Sequence, residues 1–256
     1  RDVERSRGLG DVYKRQRLYR AAHQARATQA DVARLEALKL AAVVDLRRPS
    51  ERRAQPSRRP VGWAGRLIES DHDDGGEAPH LTFLKTADLT EASGRAFMTE
   101  TYRRLPFEAA HVDLFGRYFR LLAEVEGPVL IHCAAGKDRT GLLAALTHSL
   151  LGVAHDDLMA DYLLTNQAVR LDERAEEMAR KLTAFTGRMA SHGAVVAFLG
   201  VEGGYLQAAI TAIEMRHGSI RAYLDQALGV DADRADRIRA RPVSYTHLTL
   251  PTIYSV

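Results

Sequence analysis

Short apolar runs in the first half of the chain give way to long stretches of helical periodicity in the second. Ala41-Ala42-Val43-Val44 is an apolar run that ends at Asp45-Leu46-Arg47, and Val129-Leu130-Ile131 is another, entered through Pro128. Both read as buried parallel strands, with the proline at a first position where a missing N–H is tolerated. Gly62 to Ile68 predicts a further strand. Thr28-Gln29-Ala30-Asp31 sets a hydroxyl three residues ahead of an acid, a helix start, and Val32, Leu35 and Leu38 follow on one face. Helical spacing returns over 92–105 and again over 107–125, where Val112, Phe115, Phe119 and Leu122 share a face until Gly127-Pro128 stops it. Arg48 to Arg59, bounded by prolines, reads as loop or short helix, and Asp71 to Pro79 as an acidic surface loop. From Thr140 onward nearly everything reads as helix. A segment from Leu142 closes at Gly152, His155 to Asn166 follows, and later segments end near Gly218 and Gly229. Tyr205, Leu206, Ile210 and Ile213 are core positions. This pattern predicts one α/β domain, a mainly parallel central sheet flanked by helices with a helix-rich C-terminal half.

Composition adds exclusions. Of 256 residues, 46% are apolar and 27% charged, enough for a real core. No apolar run approaches the roughly eighteen residues of a membrane span, which excludes an integral membrane segment. The one cysteine, Cys133, leaves no intrachain disulfide. Both ends read as foreign. Ser6 to Gln16 resembles a translated sequencing adapter, its last six residues back-translating to gat-gtg-tat-aag-aga-cag, and Val243 to Leu248 back-translates to the complement of the same element. Residues 17–242 are therefore expected to form the natural domain, with 1–16 and 243–256 as non-native tails. Residues 1–16 hold five basic and three acidic side chains, so removing them lowers the formal charge from +3 to +1. A nearly neutral body carries no footprint for nucleic acid. The chain begins without methionine, so its own N-terminus is taken as missing, and either a cytoplasmic or a secreted location fits.

The chemistry concentrates in His132-Cys133-Ala134-Ala135-Gly136-Lys137-Asp138-Arg139-Thr140-Gly141, between an apolar strand and an apolar helix. Five residues between Cys133 and Arg139 can turn successive backbone N–H groups inward as an anion cradle, and the following helix adds its unpaired N–H groups and positive end. Arg139 can hold two phosphate oxygens with its planar fork. The same features favour a thiolate at Cys133. An anionic sulfur in a pocket shaped for a dianion predicts attack on phosphorus, a cysteinyl-phosphate, and release by water, with no metal or other cofactor.

This run resembles the signature His-Cys-x5-Arg-Ser/Thr of the cysteine-dependent protein tyrosine phosphatases. Its Gly-Lys-Asp is similar to that of the bacterial branch, which has mycobacterial members. Leu18-Tyr19-Arg20, Val44-Asp45-Leu46-Arg47 with Glu51, Leu151-Gly152-Val153, Asp161-Tyr162-Leu163-Leu164, Gly218-Ser219 and Tyr223-Leu224 follow in that branch's order. The resemblance implies that Cys133 is the nucleophile and Arg139 the phosphate clamp, with Ala134, Ala135, Gly136, Lys137 and Thr140 completing the phosphate site. It further implies that the Thr140 hydroxyl donates to the sulfur, that His132 braces the loop, and that Lys137 adds charge near a second phosphate or an acidic neighbour. Phosphorylated proteins or phosphoinositides are the implied substrates. Asp138 is the first choice for general acid. The Trp-Pro-Asp motif that carries this acid in many tyrosine phosphatases is absent, since Trp63 precedes alanine, and Asp71 is the rival. The branch's opening Asn-Phe-Arg-Asp-Leu-Gly-Gly segment is also absent, which predicts that a strand beside the phosphate loop is lost.

Other readings compete. Asp45 and Arg47 read as a strand-end ion pair bracing the loop more readily than as catalysts. Asp138 could simply cap the helix or pair with Lys137 or Arg139. His72, Asp73, Asp74 and His80 could be imagined as metal ligands but do not fit the calcium-loop pattern and read more readily as a solvated loop. Gly136-Lys137 is not a nucleotide P-loop, because no glycine stands five residues earlier. A phosphate-recognition module without turnover, and sulfur-transfer or arsenate-type cysteine chemistry, stand as alternatives. The sequence does not show whether a lid covers the pocket; Glu91 to Leu105 and Asp172 to Ala190 are the segments to inspect for one.

Overall fold

Five parallel strands in the order β3–β2–β4–β1–β5 make the sheet of the computed structural model, which describes residues 16–72, 79–168, 170–240 and 244–247. They are β1 (Gln16–Ala21), β2 (Ala42–Asp45), β3 (Arg66–Ile68), β4 (Val129–His132) and β5 (Ser244–His247). Ahead of β4 lie helices α1 (Gln29–Ala37), α2 (Pro49–Ala54), α3 (Pro79–Thr86), α4 (Glu91–Arg104) and α5 (Ala109–Glu124). After it come α6 (Asp138–Leu150), α7 (His155–Leu163), α8 (Thr165–Ala168), α9 (Leu171–Thr186), α10 (His192–Leu199), α11 (Gly203–His217), α12 (Ile220–Gln226) and α13 (Ala232–Arg239).

Alternation along the strands sorts side chains to two faces. Tyr19, Ala21, Val43 and Leu130 pack with Val32 and Leu35 of α1 on one face. Leu18, Ala42, Val44, Val129 and Ile131 point to the other, where α4, α5, α6, α7, α11, α12 and α13 bury the main core. Helix α6 is apolar on nearly all sides, as a helix surrounded by protein must be. A third cluster joins Leu84 and Leu89 to Ala175, Met178, Ala190, Ala194 and Val195 of the α9–α10 region, which packs on α4. Among the described residues no single helix is long and apolar enough to cross a membrane; α10 and α11 reach that length together but meet at 47°.

Most predicted elements are present, the Thr28–Asp31 capping box among them. Three differ. The strand over Gly62 to Ile68 shortens to Arg66–Ile68, because the chain turns at Gly62 with φ of 75° and Trp63 then donates to Leu40 O at 2.8 Å. Helix α3 was not foreseen at all. Most of the acidic loop, 73–78, lies outside the described residues. The expected loss of a strand beside the phosphate loop is corrected: β1 fills that place, with Leu18 opposite Val129 and Ala21 opposite His132. Arginines at 17 and 20 hid its alternation. Ser244–His247, assigned to a non-native tail, runs parallel beside β1 as the edge strand.

Phe119 is fully enclosed between the sheet and the surrounding helices. Phe119→Ala is expected to cost about 3–5 kcal/mol of unfolding free energy, read from urea denaturation.

Candidate active site

The chain leaves β4 at His132 and enters α6 at Asp138, so the loop between them joins the C-terminal end of a central strand to a helix N-terminus. Three of its carbonyls are captured from outside. Leu46 N–H donates to His132 O at 2.8 Å, His23 N–H to Ala134 O at 3.1 Å, and Arg20 Nη2 to Gly136 O at 3.0 Å. In a trans peptide the C=O and the next N–H point in opposite directions. Each capture therefore turns an N–H the other way, that of Cys133 away from β2 and those of Ala135 and Lys137 away from the donors at the end of β1. The Gly136 N–H donates to Cys133 Sγ at 3.2 Å. Gly136 has φ of 72°, and a Cβ there would lie 2.6 Å from the Ala21 carbonyl, so only glycine fits.

Cys133 is 2% exposed. Arg139 lies within electrostatic reach of its sulfur and is held end-on by Glu51 of α2, Nη1 to Oε2 at 2.6 Å and Nη2 to Oε1 at 2.8 Å, while Nη1 also donates to Leu46 O at 3.1 Å. Among the described residues these bonds use three of its five N–H groups. The remaining two, on Nε and Nη2, share one edge of the guanidinium, the side-on fork suited to two phosphate oxygens. Burial works against the Glu51 charge, but the Arg139 charge and hydrogen bonds, with the Arg48 N–H, outweigh it and hold the carboxyl down at about 2.

Behind the loop, Arg47 grips Asp45 side-on, Nε to Oδ1 at 2.9 Å and Nη2 to Oδ2 at 2.7 Å. The ion-pair expectation for Asp45 and Arg47 is met. His132 sits with Nε2 3.6 Å from Asp45 Oδ2 and Nδ1 3.3 Å from Cys133 O. Burial takes His132 down to about 4 against the pull of Asp45, with Arg47 helping, so the ring is neutral at pH 7.

Other expected site residues stand as follows. Ala134 and Ala135 line the half-exposed rim of the loop. The Thr140 hydroxyl is buried and makes no hydrogen bond, to the sulfur or to any other described atom. Lys137 Nζ donates to Phe198 O and, at 3.2 Å, to Gly200 O, at the C-terminus of α10. The free carbonyls of a helix end attract such a cation. Its acidic neighbour is Asp138, 3.6 Å away. Asp138 begins α6 with a side chain 25% exposed and accepts from Tyr102. Asp71 is 96% exposed and paired with Arg52 at 3.0 Å. Among the described residues no cluster of three or more metal-ligating side chains occurs.

The sequence profile of the tyrosine phosphatase family matches residues 1–244. The chain belongs to the tyrosine phosphatase family. A Cupriavidus necator protein named putative tyrosine-protein phosphatase is 34% identical over 232 residues, 90% of this chain and 81% of that protein. The triple specificity protein phosphatase PtpB of Mycobacterium tuberculosis is 33% identical over 253 residues, 87% of this chain and 89% of that protein. A Nostoc commune tyrosine-protein phosphatase is 30% identical over 127 residues, 48% of this chain and 41% of that protein. The protein is thus a phosphatase of bacterial type, which disfavours the non-catalytic and sulfur-transfer alternatives. Glu51 and Arg20 were visible in the sequence as family-like residues but without a role. Nothing in the sequence pointed to His23 or Tyr102.

Two outcomes are expected of this tyrosine phosphatase site. Gly136→Ala should displace the loop against Ala21 and lower kcat/KM for an aryl phosphate about 100-fold. Glu51 binds its proton more weakly folded than unfolded, so its stabilisation is present above about 4.5 and lost as pH falls toward about 2. Wild-type stability should fall across that window, and Glu51→Gln should flatten the fall, as measured by thermal unfolding at stepped pH.

Proposed function

We propose that this phosphatase hydrolyses phosphotyrosine monoesters through a cysteinyl-phosphate on Cys133. The observation that carries the reading is the arrangement of the 133–139 loop, in which an amide donates to the sulfur and Arg139 keeps a two-donor edge unused among the described residues. The phosphoryl oxygens sit against the loop amides and that edge, and the sulfur faces phosphorus in line with the leaving oxygen. In the first step the Sγ–P bond forms and the P–O bond to the phenol breaks, while Asp138 gives its proton to the departing oxygen. In the second step the Asp138 carboxylate takes a proton from water, water oxygen bonds to phosphorus, and the S–P bond breaks. The departing thiolate takes the hydroxyl proton of Thr140 as a hydrogen bond, which gives that buried group a partner.

Asp138 is favoured over Asp71 because it stands one residue before Arg139 at the loop's exit, while Asp71 is engaged by Arg52 in solvent. Backbone amides, the helix end and Arg139 take up the transition-state charge, so the reaction is assigned no metal. The mycobacterial relative is named a triple specificity protein phosphatase, which supports a breadth here beyond phosphotyrosine.

Hydrolysis of p-nitrophenyl phosphate should persist in a chelator and fall to background in Cys133→Ser; equal turnover by that variant would refute the reading. Asp138→Asn should lower kcat/KM for phenyl phosphate by about 10²–10⁴ and spare activated esters, whereas Asp71→Asn should leave both unchanged.

A further inference from the structure

Tyr102 lies at the C-terminal end of α4, and its ring and hydroxyl are wholly buried. Its O–H donates to Asp138 Oδ1 at 3.0 Å. The Tyr102 oxygen in turn accepts from the Tyr162 O–H of α7 at 2.6 Å. The direction of this chain is fixed, because a phenol has one proton and that of Tyr102 is spent on the carboxylate. Burial above all, and then the charge of Asp138, raise Tyr102 well above the ordinary tyrosine range, so it remains a donor wherever the enzyme works. Tyr162 reaches Tyr102 because its ring rests on Gly141, where a Cβ would stand 3.1 Å from ring carbons.

We infer that Tyr102, backed by Tyr162, is a positioning residue that selects which oxygen of Asp138 carries the catalytic proton. The inference rests on Asp138 being the general acid. With Oδ1 occupied as an acceptor, the acid proton resides on Oδ2, and rotation of the carboxyl group is blocked. Three different helices meet in this contact: α4 brings the donor, α7 its support and α6 the acid. Tyrosine burial alone does not account for it. Tyr223 and Tyr205, equally buried, satisfy their hydroxyls on the backbone carbonyls of Pro106 at 2.6 Å and Ala197 at 3.0 Å. Tyr102 instead ends on the carboxylate beside the phosphate clamp. The other charge close to this carboxylate, Lys137, lies 3.6 Å from the same Oδ1, beyond hydrogen-bond distance and already committed to the Phe198 and Gly200 carbonyls, so it favours the same oxygen as acceptor without bonding to it. The Tyr205 ring packs tilted against Tyr102, 5.8 Å between centroids.

A positioned proton matters only when the leaving group needs one. The test is kcat/KM for phenyl phosphate and for 2,4-dinitrophenyl phosphate, measured on the full chain for wild type, Tyr102→Phe, Tyr162→Phe and Asp138→Asn. Tyr102→Phe is expected to lose about tenfold on the phenyl ester and little on the activated one, with Tyr162→Phe losing less in the same sense. Equal losses on both esters would make Tyr102 a packing residue and overturn the inference. If Asp138→Asn is selective between the esters while Tyr102→Phe is not, the positioning role fails and the acid assignment stands. If Asp138→Asn is itself unselective, both fall. Should Tyr102→Phe not fold, Tyr162→Phe decides: a selective loss sustains the inference and an even one ends it.

Discussion

Carbonyl groups of His132, Ala134 and Gly136 are each held from outside the phosphate loop, by Leu46, His23 and Arg20. Peptide planarity converts those three bonds into the orientation of the neighbouring amides. The anion site is therefore built less by the loop than by the strand ends around it. β1 and β2 flank β4 in parallel, and all three end at the same edge of the sheet, so the residues just past their ends are near enough to reach around the loop. Cys133 and the amides sit where they do because the sheet order puts a strand on each side.

Holding a loop this way requires charge in largely buried places. Arg20, Arg47 and Arg139 are drawn into the protein around the loop, and each meets a carboxylate: Asp161 at 3.6 Å, Asp45 at 2.7 Å and Glu51 at 2.6 Å. An uncompensated buried guanidinium would cost several kcal/mol, so these partners are as necessary as the arginines. The pairs differ in what they leave over. Arg47 meets Asp45 through its side edge and ends its remaining reach on Gln55 O and Ser57, which makes it a brace. Arg139 meets Glu51 end-on and keeps its side edge, which suits it to a substrate. The same side chain is structural in one case and ready to bind in the other, by the choice of edge alone.

Much of this was legible in the sequence, and the exceptions share a cause. β2 and β4 were readable because both faces of a parallel strand are apolar, as in Val43-Val44 and Leu130-Ile131. The loop was readable because its chemistry is local: Cys133 and Arg139 are six residues apart, bounded by a strand and a helix. β1 was lost because Arg20, a charged residue in a strand, is buried for the sake of a carbonyl 116 residues away. Tyr102 was invisible for the same reason, since its hydroxyl meets Asp138 only after α4 and α6 have packed. The acidic neighbour of Lys137 was legible because it is the next residue, whereas the Phe198 and Gly200 carbonyls that also hold it lie more than sixty residues on. Pattern reveals what neighbours in sequence do together, and it is silent about partners supplied by topology.

The central claim is that phosphorus passes through one sulfur. Rapid acid quench of the enzyme during turnover of an aryl phosphate, followed by peptide mass spectrometry, tests this directly. Phosphate carried on the peptide containing Cys133, and on that residue within it, is the result expected. Steady turnover with phosphate on another residue, or with no phosphoenzyme and undiminished activity once the sulfur is blocked by alkylation, would contradict the account.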